Sequence, residues 1–190
     1  MLRCGMEIRL VGELTNVKEA VREVRHIYSE APEPSVEDGA ITDSMCAFMV
    51  ELLRRGNSRA LFLWLLKVTL DITAPEHWWH QADSYFTEVQ WVRRHPSEQG
   101  ERANLSQDDF EGGIPTRLLD TLNENIAAEQ RKLLAATLPE NFIRRAYAQS
   151  DYGALRRLYL ERGHYNSGHW RDLAEFLSTL PYGEFITTRS

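Results

Sequence analysis

The sequence predicts an α+β fold, a mostly helical single domain spanning residues 1–190 and packed on a small sheet. Three observations carry this. Val68, Leu70 and Ile72 alternate with Lys67, Thr69 and Asp71, the period of a strand with one buried face. Several longer segments instead repeat apolar residues at helical spacing, as helices on a core do. Composition agrees: of 190 residues, 43% are hydrophobic and 26% charged, close to the globular average.

Taken in order, Met6-Glu7-Ile8-Arg9-Leu10 alternates and reads as a first strand. Asn16, with Glu19 three residues on, is placed to cap a helix whose face is Val17, Val21, Val24 and Tyr28. Ala31-Pro32-Glu33-Pro34 ends it, and a flexible loop runs over 31–42. Asp43 or Ser44 caps the next helix, with Met49, Val50 and Leu53 inward and Arg54-Arg55-Gly56 closing it. Residues 61–66 read as a helix tail or as part of a longer buried strand, and periodicity does not decide. Beyond the alternating strand, Pro75 sits as a first helical residue of an aromatic helix over 76–91. Trp78 or Trp79 is expected to pack on that strand. Residues 95–113 are polar and glycine-containing, a second flexible loop. Three more helices follow. One covers 115–136 with Leu119, Leu122, Ile126 and Leu133 on one side. One is capped by Asp151 and carries Leu155, Leu158 and Tyr159. The last covers 167–180 with Leu173, Phe176 and Leu177.

Charge and cysteine content exclude several classes. With 28 acidic and 22 basic residues the formal net charge is -6, which argues against a broad nucleic-acid-binding surface. Two cysteines, Cys4 and Cys46, make neither a disulfide framework nor a cysteine-rich zinc module, and fit a reducing cytoplasm. The first residues lack a signal-peptide pattern, and the longest apolar run, 60–66, is far too short to span a bilayer, so no membrane partner is expected.

Few residues suggest chemistry outright. In Glu76-His77-Trp78-Trp79-His80-Gln81 the two histidines stand three apart, without the spacing or glutamate of a zinc-protease motif. His164 and His169 flank a polar turn and lack a third ligand by spacing. No metal is expected. Arg93-Arg94-His95 and Arg144-Arg145 are short basic clusters that suit phosphate, with solvated arginine the default. Gly112-Gly113 lacks a phosphate-loop lysine, no G-x-S-x-G element exists, and neither cysteine has an obvious histidine partner.

The block Leu70-Asp71-Ile72-Thr73-Ala74-Pro75-Glu76-His77-Trp78-Trp79, followed by Asp83-Ser84-Tyr85, resembles a group of bacteriophage and prophage proteins of unassigned function that carry D-[IL]-T-A-P-x-x-W-W and D-[ST]-Y. Phe176, Leu180-Pro181-Tyr182 and Glu184 add to the likeness, which covers most of residues 45–186. That group in turn remotely resembles the flavin-dependent thymidylate synthases. Leu138-Pro139, then Leu158-Tyr159-Leu160-Glu161-Arg162, then His169-Trp170-Arg171-Asp172 is similar to the enzymes' late L-P, L-x-x-R and A-Q-W-E pattern. The resemblance implies their fold, a nucleotide-contacting Arg162, and His169 where they have glutamine. It also implies a homo-oligomer.

The same resemblance marks a departure. The enzymes' flavin signature, R-H-R-x-x-S, has no counterpart in the window Gln81-Ala82-Asp83-Ser84-Tyr85-Phe86-Thr87-Glu88, where Asp83 and Glu88 oppose phosphate. No cofactor is expected, flavin entering by resemblance only. The reading is a phage-borne accessory protein on a degenerate synthase-like scaffold, more a binding protein than an enzyme, in the host-cell cytoplasm. Its candidate ligand-binding residues are Arg162, His169, Arg93, Arg94, Trp78 and Trp79, with a nucleotide as partner. The alternative is a counter-defence inhibitor of a host protein, such as an anti-CRISPR, using the carboxylates Glu98, Glu101, Asp108, Asp109 and Glu111. A second alternative is an active flavin-dependent nucleotide-modifying enzyme.

Overall fold

The structure is a computed structural model that describes residues 6–33, 40–56, 60–85, 90–92, 104–164 and 168–189. Arg93, Arg94, His95, Glu98, Glu101 and residues 34–39 of the 31–42 loop lie outside the described residues. The chain begins with β1 (Glu7–Thr15), α1 (Val17–Ile27) and α2 (Asp43–Arg54), then β2 (Lys67–Pro75), α3 (Glu76–Tyr85) and β3 (Gln90–Val92). It continues with α4 (Thr116–Ala127), α5 (Arg131–Thr137), β4 (Ile143–Asp151), α6 (Tyr152–Arg162), α7 (Gly168–Ser178) and α8 (Glu184–Thr187). The strands form one four-stranded sheet in the order β1-β2-β4-β3, every neighbour antiparallel. This is the expected α+β class. No described helix is long and apolar enough to cross a membrane.

Alternation decides which sheet face is covered. Val68, Leu70, Ile72 and Ala74 of β2 and Ala146 and Ala148 of β4 are buried beneath the helices. Val21 and Val24 of α1, Met45, Met49, Leu52 and Leu53 of α2, and Leu173 and Leu177 of α7 complete this core. Opposite, Arg145 grips Asp71 through two hydrogen bonds, of 2.7 and 2.5 Å, and lies against the Tyr147 ring. These bonds raise the Arg145 pKa. The register of β1 slips between Val11 and Thr15 at a bulge, where Gly12 takes φ +72, a left-handed conformation that glycine adopts without steric cost. A smaller core, Leu105, Phe110, Leu122, Leu134 and Phe142, forms under α4 and α5.

Several boundaries differ from the sequence reading, each for a local reason. Residues Leu61–Trp64 form a 3₁₀ turn, neither helix tail nor strand, whose short period buries Phe62 and Leu63 and leaves Leu61 and Trp64 outside. Pro75 ends β2 opposite Ile143 and α3 opens at Glu76. That helix stops at Tyr85, and residues 90–92 make β3. The single helix expected over 115–136 is two, broken at Glu129 with φ 56, so Leu133 turns outward. Thr42, rather than Asp43 or Ser44, caps α2 by accepting from the Met45 N–H. Asn16 makes no side-chain cap. Asp151 caps α6 as expected, accepting from Ala154 N at 2.9 Å. Residues 104–113 are anchored rather than loose: Ser106 and Asp109 form a capping box and Phe110 bridges to Phe142. The largest omission is β4, which the sequence reading left unassigned.

Trp78 and Trp79 are wholly buried, at 1% and 0% exposure, and pack edge to face at 4.9 Å, with Trp170 5.4 Å from Trp78. The Trp79 indole N–H donates to Ala74 O at 2.9 Å and Arg144 O at 3.2 Å, joining α3 to both central strands. Trp79→Ala should therefore cost about 3–5 kcal/mol in urea denaturation, and Trp79→Phe about 1–2 kcal/mol for the lost N–H bonds. On the far side of the core, Cys46 Sγ donates to Glu184 Oε1 at 3.0 Å. Burial, reinforced by Glu184, pushes its pKa up to about 12. Iodoacetamide at pH 8.5 should modify Cys46 at least about tenfold more slowly than the same residue in urea, read by mass mapping.

Candidate functional site

The structure unites one histidine from each pair singled out in the sequence, and pairs neither with its sequence neighbour. His77 lies in the first turn of α3 and His169 in the first turn of α7, their rings 5.4 Å apart in an edge-to-face arrangement. Between them reaches Glu111, from the turn after Phe110. Glu111 Oε1 is 2.8 Å from His169 Nε2, and Oε2 is 3.9 Å from His77 Nε2. Backbone contacts fix all three segments. The Glu76 and His77 amides donate to the carbonyls of Phe142 and Glu140, and Glu111 N donates to Asn141 O. The Asn141 side-chain amide in turn donates to the carbonyls of Glu111 and Gly113. His80 is instead exposed, its Nε2 3.3 Å from Glu76 Oε1. Glu111 had appeared in the sequence only as part of a carboxylate run, and only tertiary folding reveals its partners.

Of the carboxylate run, Glu98 and Glu101 lie outside the described residues. Of its described members, Asp109 accepts from Ser106 N and Oγ, Glu111 faces the histidines, and Asp108 alone is exposed.

The arginines divide into structural and surface groups. Arg144 is buried and pairs with Glu76 at 2.9 Å while lying over the Trp79 ring. Burial lowers its pKa and Glu76 opposes the shift. Arg145 is committed to Asp71. Both basic residues thus already meet carboxylates. Arg162 is partly exposed at the end of α6, and His169 is occupied by Glu111. Trp78 and Trp79 belong to the core, so neither ring offers a face to a ligand.

Sequence reasoning missed a different conjunction of aromatic and cation. A pocket of about 420 Å³ is lined by residues including Trp64, Gly153, Arg156, Arg157 and Glu161. Trp64 is 43% exposed, and its ring lies so close to α6 that a Cβ on Gly153 would stand 3.0 Å from it. Arg156 is buried. Its Nη1 donates to the carbonyls of Phe185, Ile186 and Thr188, while Nε and Nη2 have no partner among the described residues. A second cavity, of about 520 Å³ at the β1 bulge, has Lys67 for its cation, already paired with Asp151 at 3.0 Å.

No protein-family profile and no curated protein sequence matches the chain. Solved structures do. The chain is similar to thymidylate synthase X (ThyX) from Helicobacter pylori with FAD and dUMP, at 16% identity and a TM-score of 0.69, covering 97% of each chain. It is similar also to the flavin-dependent thymidylate synthase ThyX of the same organism complexed with FAD and dUMP, at 12% identity and a TM-score of 0.72, covering 96% of this chain and 98% of that one. The fold expected from the late sequence pattern is the fold observed.

If Arg144 is structural, removing it strands a partly buried carboxylate. Arg144→Leu should destabilise by about 3–5 kcal/mol, and adding Glu76→Leu should restore much of the loss, both read by urea denaturation. An arginine reserved for a ligand would show neither effect.

Proposed function

We propose that this chain, on the fold it shares with flavin-dependent thymidylate synthase ThyX, is a phage-borne accessory protein that binds a nucleotide and has lost the flavin chemistry. The D-x-T-A-P-x-x-W-W block at Asp71 to Trp79 supports the phage assignment. A flavin dinucleotide brings two phosphates, which need cationic or oriented backbone donors. Residues 76–92 contain no lysine or arginine, and α3 carries Glu76 and Asp83. Gln81 of that helix already accepts from the Trp170 indole at 3.0 Å. Residues 76–92 do not fit the group, and Arg93 and Arg94, the next cations in sequence, lie outside the described residues.

The observation that carries the nucleotide reading is the pocket at Trp64, Arg156 and Arg157. An exposed indole offers a face to a base, and guanidinium groups suit a phosphate. Its volume of about 420 Å³ lies within the usual range for small-molecule sites. The sheet face bearing Tyr147 and Val11, both exposed, supports self-association, which analytical ultracentrifugation tests directly; a monomer at all concentrations would refute it.

dUMP should raise the melting temperature, and Arg157→Ala should weaken its binding about tenfold or more by calorimetry, the worth of one charge-assisted bond. If Arg162→Ala rather than Arg157→Ala weakens it, the nucleotide sits at the position implied by the sequence resemblance. Absence of binding by any nucleoside monophosphate would refute the nucleotide reading. Flavin absorbance in the purified protein, or growth rescue of a thymidine-requiring strain, would refute the loss of flavin chemistry.

A further inference from the structure

We infer that His77, Glu111 and His169 bind a single divalent transition-metal ion of the zinc and ferrous-iron class. One ligand atom from each residue lies within 4.8 Å of the others. Two imidazoles and one carboxylate are a donor set of mononuclear zinc and non-haem iron sites, whereas magnesium and calcium favour oxygen alone. The three side chains are neither loose surface groups nor sealed in the core, at 34%, 19% and 14% exposure for His77, Glu111 and His169.

The geometry leaves something for an ion to complete. A hydrogen bond accounts for His169 and Glu111 at 2.8 Å. It does not account for His77, whose Nε2 faces the other carboxylate oxygen at 3.9 Å, beyond hydrogen-bond reach. His77 Nδ1 lies 3.3 Å from Glu140 O, and donation to that carbonyl leaves the Nε2 lone pair directed at the gap. Glu111 is held at its backbone by Asn141 on both sides of the peptide. Ligand bonds of about 2.0–2.1 Å place neighbouring ligand atoms of a tetrahedral ion about 3.3 Å apart, so closure requires shifts of roughly an ångström. Rotation of the carboxylate and of the two rings supplies them. Binding would replace the His169–Glu111 hydrogen bond with two bonds to the ion. Three protein ligands leave a coordination position for water or an exogenous ligand.

This inference stands apart from the nucleotide pocket, and its test uses metal alone. Chelator-treated, untagged protein is titrated with Zn²⁺ by calorimetry and with Co²⁺ by visible absorption. The expected result is one equivalent bound, with a Co²⁺ spectrum free of a thiolate charge-transfer band. Glu111→Gln and His77→Gln should each weaken Zn²⁺ binding about a hundredfold, and His80→Gln should leave it unchanged. Retained thermal unfolding shows that a variant is folded, and His77→Gln serves should Glu111→Gln fail to fold. The absence of stoichiometric binding, a thiolate spectrum, or equal affinity in wild type and His77→Gln would each overturn the site.

Discussion

The antiparallel pairing of β2 with β4 is the constraint on which the other elements depend. It runs unbroken from Lys67↔Asp151 to Pro75↔Ile143, and puts β2 between β1 and β4, and β4 between β2 and β3. A slip of β2 by one residue would send Asp71 into the core, away from Arg145, and expel Leu70 and Ile72. Contacts on both faces oppose such a slip: the Asp71–Arg145 pair on one, the Trp79 indole bridging both backbones on the other. Each end of the pairing then launches a helix. At one, Pro75 yields directly to α3, whose first amides are held by the carbonyls of Phe142 and Glu140 just before β4. At the other, Asp151 caps α6.

The placement of His77 follows from that arrangement. The Phe110–Phe142 bridge lies within the small core under α4 and α5, and Glu111 is the next residue after it. Its carboxylate crosses to α3 and α7 of the main core, so the histidine–glutamate cluster lies at the seam between the two cores. Seams of this kind suit chemistry, because side chains from separately packed bodies converge there without any one body having to absorb their polarity.

Legibility in the sequence tracked the chemical contrast of each alternation. β2 was plain because large aliphatic residues alternate with polar ones. β4 has an equally regular burial pattern, yet its inward residues are Arg144, Ala146, Ala148 and Ser150, which carry little hydrophobic signal. Arg144 and Arg145 therefore read as a basic cluster, although their side chains point to opposite faces and meet different carboxylates. The candidate site was half visible. His77 and His169 stood out as residue types, but each was weighed against a histidine a few positions away. Their common partner lies 34 residues beyond one and 58 before the other, a relation that helical spacing cannot encode. One of Trp78 and Trp79 is expected on the strand, and Trp79 bonds to Ala74 of it, whereas the exposed indole, Trp64, is hidden in an apolar run whose 3₁₀ turn only the fold discloses.

The Arg156 guanidinium has one more consequence, for how the carboxy-terminal segment can vary. Its acceptors there are main-chain carbonyls, those of Phe185, Ile186 and Thr188, and not side chains. Such acceptors are indifferent to which amino acid supplies them. At Thr188, whose side chain is only partly covered, substitutions should drift freely so long as the backbone keeps its path. Shortening is another matter. A stop codon that removed α8 would delete the carbonyls themselves and leave a buried cation without them. In this segment, selection would act on the presence of the backbone more than on its spelling.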